Sequence, residues 1–328
     1  MAALRILFIG GNGTISAAAS RLAIARGHEL TLLNRGVSGG RPPIEGARSL
    51  VGDAGDPASL ARAVGDERFD VVANFRSFTP EQTAADVALF EGRTRQYVYI
   101  SSASAYQKPV ARLPITESTP LRNPYWQYSR DKIASEELLV AAYRERGFPA
   151  TIVRPSHTYD GTGVPILGDW TAIDRMRRGR PVVVPGDGTS LWTLTHSRDF
   201  AVAFVGLLGN ERAVGDAFHI TSDEVLTWNQ ITDLLAEAAG TRAEKVHIAS
   251  EAIARELPEL GPGLIGDKSN SVVFDNRKVK SLVPEYRAVT PYWQGARETV
   301  DWHDADPARR RVDAELDAAF DRLIARHG

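Results

Sequence analysis

A tyrosine and a lysine four residues apart, Tyr128 and Lys132 in the segment YSRDK, carry side chains that could move a proton. On a helix these two positions lie on the same face, one turn apart. A free tyrosine has a pKa of about 10, and a neighbouring ammonium favours the phenolate and lowers that value. Tyr128 would then approach the range in which a general acid–base works at neutral pH. Because this spacing also occurs by chance in many helices, the prediction depends on the surrounding sequence.

A glycine-rich turn lies near the start of the chain, between an apolar run typical of a strand and an alanine-rich run typical of a helix. In this context glycines let the backbone approach a pyrophosphate, and the helix N-terminus supplies N–H donors and a favourable dipole. Ser16 replaces the third glycine of the common motif and is small enough for helix–strand packing. The alternative is a strand, turn and helix without a ligand. We predict a nicotinamide dinucleotide site that includes Gly10, Gly11, Asn12, Gly13, Thr14 and Ile15.

Runs typical of strands and helices alternate through the first half of the chain and predict an α/β fold, a Rossmann-type doubly wound parallel sheet. After Pro155 glycine and proline interrupt the pattern. We therefore expect a dinucleotide-binding domain over residues 1–155, which includes the Tyr128 helix. Residues 156–328 should form mainly a smaller substrate-binding subdomain, with some segments returning to the core. Within it, residues 251–275 are typical of a lid or cap, and residues 307–326 of one amphipathic helix.

Polar residues follow the predicted strands at the edge where such folds bind ligands. Asn34 carries no charge that would repel a 2′-phosphate and Arg35 could pair with one, which favours NADP(H) and leaves NAD(H) as the alternative. Asp53 could accept from an adenine amine, or cap a turn. Ser102 could hold a substrate carbonyl or hydroxyl against Tyr128. Further cofactor contacts are expected from Asn74, Phe75, Arg76 and Ser101, and a substrate contact from Ser104.

The composition is that of an ordinary globular protein, with 328 residues, 43% hydrophobic, and a formal net charge of −2. This balance gives no electrostatic basis for binding nucleic acid or a membrane surface. The chain has no cysteine, which excludes disulfides and thiolate nucleophiles, and its seven histidines lack metal-ligand spacing, so no metal site is predicted. The apolar start is too short for a signal peptide, and no run reaches the roughly 20 apolar residues of a membrane span. We expect a cytoplasmic protein.

With these residues in place, the chain resembles the atypical and extended short-chain dehydrogenase/reductases, the NAD-dependent epimerase/dehydratase family. The likeness spans nearly the whole chain and is carried by GGNGTIS, VGDAGD, YISSASAY, YSRDKIASEELL, IVRPSHTYD and HSRDFAVAFVGLL. It implies that Tyr128 is the acid–base, that Lys132 binds the nicotinamide ribose and lowers the pKa of Tyr128, and that Ser102 orients the substrate. It further implies a homodimer, and a nicotinamide that lies near Pro155, Ser156 and His157.

Two departures from the family pattern narrow the reaction. Sugar-nucleotide 4,6-dehydratases have an Asp-Glu pair where this chain has Ala103 and Ser104, which argues against that activity. Many UDP-sugar enzymes have an arginine seven residues before the late-helix aspartate, whereas Trp192 stands there in this chain. Either a nearby arginine grips the diphosphate or the substrate has none. The substrate-binding candidates are therefore Arg175, Arg178 and Trp192, although the arginine run is equally typical of a solvated helix face.

Three interpretations follow. The first is an NAD(P)-dependent epimerase or ketoreductase that acts on a sugar or sugar-nucleotide by tyrosine-assisted hydride transfer. The second is an NADPH-dependent ketoreductase of a non-nucleotide natural-product substrate. The third is a non-catalytic relative that binds RNA, against which the near-neutral charge and the complete Ser–Tyr–Lys set argue.

Overall fold

The chain folds around a parallel sheet with helices on both faces, as a computed structural model of residues 3–36 and 41–328 shows. The strands are β1 (Arg5–Ile9), β2 (Glu29–Asn34), β3 (Arg48–Val51), β4 (Phe69–Asn74), β5 (Thr94–Ile100), β6 (Ala150–Pro155), β7 (His157–Tyr159), β8 (Val182–Pro185), β9 (Leu191–Trp192), β10 (Leu194–His196), β11 (Ala217–Ile220), β12 (Leu226–Thr227) and β13 (Lys245–Ile248). The main sheet has seven strands in the order β11-β6-β5-β4-β1-β2-β3, all pairs parallel. The predicted Rossmann-type fold is confirmed.

Twelve α-helices lie among and after these strands in the described part of the chain. They are α1 (Thr14–Ala25), α2 (Pro57–Val64), α3 (Pro80–Phe90), α4 (Gln127–Arg146), α5 (Trp170–Arg177), α6 (Ser197–Leu207), α7 (Trp228–Ala238), α8 (Ser250–Glu256), α9 (Gly261–Gly263), α10 (Arg277–Leu282), α11 (Tyr292–Asp304) and α12 (Ala314–His327). Asp56 caps α2 by accepting from the Ala58 backbone N–H, as the Asp-Pro pair suggests. Among the described residues, no helix has the length and apolar character needed to cross a membrane.

Alternate residues of the central strands face opposite layers of the core. In β1, Ile6 and Phe8 join a cluster with α1 and α6, whereas Leu7 and Ile9 join a second cluster with α2, α3 and α4. A parallel strand that is buried on both faces is apolar throughout, and this accounts for its unbroken hydrophobic run. The carboxyl ends of β1, β4, β5 and β6 therefore meet at one edge of the sheet, where the candidate site lies.

The second half of the chain adds short strand pairs and returns β11 to the edge of the main sheet, beside β6. A separate apolar cluster lies here, formed by residues of β8, β9, β10, α7 and α11 among others. The prediction of a single terminal helix over residues 307–326 is wrong. A short 3₁₀ turn covers Pro307–Arg309, and α12 begins only after Asp313, whose carboxylate caps it.

Candidate active site

Hydroxyl groups from two elements meet in a cleft of about 240 Å³ at the carboxyl end of the sheet. Ser102 follows β5, and Tyr128 lies in the first turn of α4; both line the cleft. The Ser102 and Ser104 hydroxyls are 2.8 Å apart, and Ser104 lies 2.8 Å from the Ser129 hydroxyl on α4. This chain of hydroxyls ties the end of β5 to the start of α4 and fixes Ser102 beside Tyr128.

Tyr128 has a raised pKa, contrary to the sequence-based expectation of a lowered one. Burial has the largest effect and disfavours the phenolate, a hydrogen bond with Ser102 opposes it, and the negative charge of Asp267 adds to it. Lys132 lies one turn along α4, with its ammonium 5.7 Å from the centre of the Tyr128 ring. In the free chain this ammonium therefore does not activate the phenol.

Lys132 is itself perturbed because it is 2% exposed. Its ammonium donates to the carbonyls of Ser77 and Ile100, each at 2.7 Å, and so lies between the ends of β4 and β5. Burial lowers its pKa to about 7, against an opposing effect of Glu136. The cation on which the sequence argument relied is thus only partly charged near neutral pH.

Behind the cleft lies a buried ion pair that the sequence did not indicate. Arg154 on β6 donates to both carboxylate oxygens of Glu136 on α4, at 2.5 to 3.1 Å, and reaches the Tyr106 hydroxyl at 3.2 Å. Ser101 also donates to Glu136. The expectation that Ser101 meets the cofactor is therefore wrong for its side chain, because the hydroxyl faces α4 and is buried.

The opposite wall of the cleft holds the three residues after β6 and the aromatic residue that replaces the family arginine. Pro155, Ser156, His157 and Trp192 all line it. The Trp192 indole donates to His157 Nδ1 at 3.1 Å, which leaves the proton of the neutral ring on Nε2. Burial first, and then the charge of Lys268, lower the pKa of His157 to about 3, so the ring is neutral at physiological pH.

Five residues of the cleft wall were not predicted from the sequence: Trp126, Asp267, Lys268, Val272 and Phe274. The Asp267 carboxylate lies 3.2 Å from the ammonium of Lys108, which is fully buried. Both Asp267 and Lys268 belong to the segment 251–275, whose mixture of charge, proline and glycine predicted a lid or cap. The segment contributes one side of the cleft.

A cavity of about 920 Å³ adjoins the cleft, with Trp126, His157 and Lys268 common to both walls. Its charged lining has four acidic residues, Asp169, Glu259, Asp313 and Glu315, and two basic ones, Lys268 and Arg322. Arg322 is paired with Glu256, at 2.7 Å. The cavity is large enough for a substrate several times the size of one sugar ring, and its wall carries more negative than positive groups.

The arginines proposed as diphosphate ligands are corrected by the structure. Arg175 is 0% exposed and is held by the carboxylates of Asp317 and Asp321 on α12. Arg178 is exposed and pairs with Asp174 on its own helix at 3.0 Å. Neither lines the cleft or the adjoining cavity. Arg175 serves instead to fasten α5 to α12.

The glycine turn between β1 and α1 has the geometry of a dinucleotide cradle. Gly10 has φ +83°, and a Cβ there would lie 2.4 Å from the Arg76 side chain, whereas a Cβ on Gly13 would meet only the Ser16 hydroxyl, at 3.4 Å. The carbonyl oxygen of the Asn12 side chain is buried and has no partner among the described residues. This oxygen can only accept, so it could receive a hydroxyl donor but not a phosphate oxygen. The contacts to the pyrophosphate of a nicotinamide dinucleotide would come from the backbone at the helix N-terminus, where Gly13 leaves room for a close approach.

The other predicted cofactor residues divide into two groups. Asn34 ends β2, and Arg35 and Asp53 lie just after β2 and β3, where an adenosine ribose would lie; Thr14 and Ile15 open α1. The side chains of Asn74 and Phe75 are used elsewhere, which corrects that prediction. Asn74 bonds Asp86 on α3 at 2.7 Å, and Phe75 packs against Phe8 and Phe204. In the described part of the chain, no group of three or more His, Cys, Asp or Glu could hold a metal.

The chain matches one known family over most of its length. The sequence profile of the NAD dependent epimerase/dehydratase family matches residues 6–221. The chain is 29% identical over 291 residues to a 2'-dehydrokanamycin reductase of Streptomyces kanamyceticus, covering 87% of this chain and 80% of that one. It is also 29% identical over 248 residues to the chloroplast stem-loop binding protein of 41 kDa b of Arabidopsis thaliana, covering 72% and 63%.

Among solved structures, a UDP-glucose 4-epimerase from Bifidobacterium longum, solved with NAD+ and UDP, has a similar fold. The TM-score is 0.73, the identity 17%, and the match covers 92% of this chain and 98% of the other. At this identity the likeness concerns the fold.

Proposed function

The chain belongs to the NAD dependent epimerase/dehydratase family, and from this premise we propose that it is an NADP(H)-dependent reductase of a ketone on a sugar-type substrate. The observation that carries the proposal is that Ser102, Tyr128 and Pro155 line one cleft. This cleft lies at the carboxyl edge of the sheet, the same edge at which the glycine turn follows β1. When bound, the cofactor supplies a hydride to the carbonyl carbon. Ser102 orients the carbonyl oxygen, and Tyr128 gives that oxygen its hydroxyl proton as the carbon is reduced.

The raised pKa of Tyr128 keeps the phenol protonated in the free chain, which accords with a proton donor in reduction. A phenol that stays protonated at neutral pH is ready to donate a proton to a carbonyl that receives hydride. An epimerase begins by oxidising a carbinol and needs the phenolate first. Retained, non-exchanging NAD in the purified protein would favour the epimerase, whereas reversible uptake of NADPH favours the reductase.

The preference for NADP(H) rests on the end of β2. Asn34 brings no carboxylate to the ribose hydroxyls, and the exposed Arg35 can pair with a 2′-phosphate. Titration of the protein with NADPH and with NADH should give the lower Kd for NADPH. An equal or lower Kd for NADH would remove this part of the proposal.

We further propose that the substrate carries no nucleoside diphosphate. Trp192 cannot neutralise phosphate, Arg175 is occupied by two carboxylates, and the larger cavity is lined by more acids than bases. A dianionic diphosphate would be repelled there, whereas a neutral or amino sugar would not. The similarity to a relative named for reducing dehydrokanamycin accords with this. Saturable binding of UDP or another nucleoside diphosphate would contradict it.

Tyr128→Phe tests the mechanism. Loss of the proton donor should lower kcat by a factor of about 10² to 10⁴ for a keto sugar that the unaltered protein reduces. The Kd for NADPH should stay unchanged. Tyr125→Phe is the matched control, because Tyr125 is 46% exposed and outside the cleft. If Tyr128→Phe keeps most of its activity, the proposed role of Tyr128 is wrong.

A further inference from the structure

An arginine outside every motif of the sequence spans the path that a dinucleotide would take. Arg41 lies between β2 and β3, and its guanidinium binds both carboxylate oxygens of Asp160, at 2.6 and 3.3 Å. Asp160 directly follows β7, on the nicotinamide side of the sheet edge. The pair therefore joins the adenosine side of the crevice to the nicotinamide side.

The same guanidinium lies against the N-terminus of α1. Its Nη2 donates to the Thr14 hydroxyl at 3.1 Å and also contacts the Thr162 hydroxyl. Asn12 of the glycine turn donates to the carbonyl of Pro42, at 3.4 Å, while its own carbonyl oxygen remains buried and unpaired. Two neighbouring residues, Arg41 and Pro42, thus lie on the turn where a pyrophosphate is expected.

Asp160 is built to hold the arginine. Burial disfavours its charge, yet hydrogen bonds from Arg41 and Thr162 hold the pKa of Asp160 below its ordinary value. Both partners are largely buried, with side chains 22% and 15% exposed. A carboxylate fixed in this way presents the two Nη atoms in one orientation, which leaves Nη2 directed at the helix N-terminus.

We propose that Arg41 is a ligand of the cofactor pyrophosphate, and that Asp160 is the residue that positions it. This rests on the proposed binding of a nicotinamide dinucleotide. When the cofactor binds, the hydrogen bond that Nη2 donates to Thr14 would be replaced by one to a phosphate oxygen, while Nη1 keeps its hydrogen bond to Asp160. Because the pyrophosphate is common to NAD(H) and NADP(H), Arg41 contributes to affinity for both. Arg35 contributes only where a 2′-phosphate is present.

Titrations of NADPH and NADH, followed by nicotinamide fluorescence, separate these roles. Arg41→Ala should raise both Kd values by a similar factor, about tenfold or more for a charge-assisted hydrogen bond. Arg35→Ala should raise the Kd for NADPH alone. Asp160→Asn should raise both by a smaller factor, and add little to Arg41→Ala in the double variant, because the two act through one group. Arg178→Ala is the matched control, since its ion pair lies outside the site.

Titration with ADP isolates the diphosphate from the nicotinamide. Arg41→Ala should raise the Kd for ADP and leave the Kd for adenosine unchanged. The proposal is overturned if Arg41→Ala changes both dinucleotide Kd values by less than twofold, or weakens NADPH alone. If the unaltered protein binds neither dinucleotide, the proposed function itself fails, which is a different result. Should Arg41→Ala unfold, Arg41→Lys and Asp160→Asn carry the same comparison, because both keep a charge or amide in the pair.

Discussion

The free energy of unfolding should be most sensitive at Glu136, the residue that joins α4 to β6 behind the cleft. Glu136 is 2% exposed and Arg154 is 5% exposed. Glu136 accepts from Arg154 through both oxygens and from Ser101 at the end of β5. Glu136→Gln keeps the shape of the side chain but leaves the arginine charge buried and uncompensated.

The magnitude follows from the cost of an unpaired buried charge. Removing one partner of a buried ion pair typically costs about 3 to 5 kcal/mol, whereas a whole domain is stable by only about 5 to 15 kcal/mol. A matched control is the Arg48–Glu67 pair, which is also bidentate but has an arginine side chain that is 51% exposed. Glu67→Gln should cost no more than about 1 kcal/mol.

Denaturant unfolding of the two variants and the unaltered protein gives the comparison, with the free energy taken from the midpoint and slope. Glu136→Met combined with Arg154→Met should recover much of the loss, because it removes both charges together. If Glu136→Gln lies within about 1 kcal/mol of Glu67→Gln, the buried pair does not stabilise the fold in the way the geometry indicates.

Two further variants have defined outcomes. Lys132 has a pKa lowered to about 7 in the folded chain, against about 10.4 when unfolded, so the unfolded state binds more protons between these values and stability rises with pH across that window. Lys132→Met should remove this rise, so its stability relative to the unaltered protein should be greatest below pH 7. Denaturant unfolding at a series of pH values measures this, and an unchanged pH dependence would contradict it. Gly13→Ala should keep the melting temperature and weaken NADPH binding. Gly10→Ala should lower the melting temperature as well, because of these two glycines only Gly10 has a positive φ and a crowded Cβ. A cofactor Kd unaltered by Gly13→Ala would mean that the turn does not hold the pyrophosphate.

Much of the architecture could be predicted because each element carries a local signal. The apolar run of β1, the glycine turn and the Asp56-Pro57 cap each depend on a few neighbouring residues, so a short stretch of sequence is enough to indicate them. The terminal helix failed for a similarly local reason. Pro307 starts a turn, but Asp313 is the better cap, and α12 begins there.

The partners of charged residues could not be predicted, because they are set by contacts between distant segments. Arg175 looked available for a diphosphate, yet its carboxylates come from α12, more than a hundred residues later. Arg41 carried no signal at all, since Asp160 lies 119 residues away. A run of arginines in a sequence identifies hydrogen-bond donors, but which acceptors they bind depends on the fold.

The same limit explains the pKa of Tyr128. The spacing of four residues predicts correctly that Tyr128 and Lys132 share a face of α4, but electrostatic activation also needs a charged and close ammonium. The carbonyls of Ser77 and Ile100 hold that ammonium away from the phenol, and burial makes it partly neutral. The free chain therefore holds Tyr128 as a proton donor.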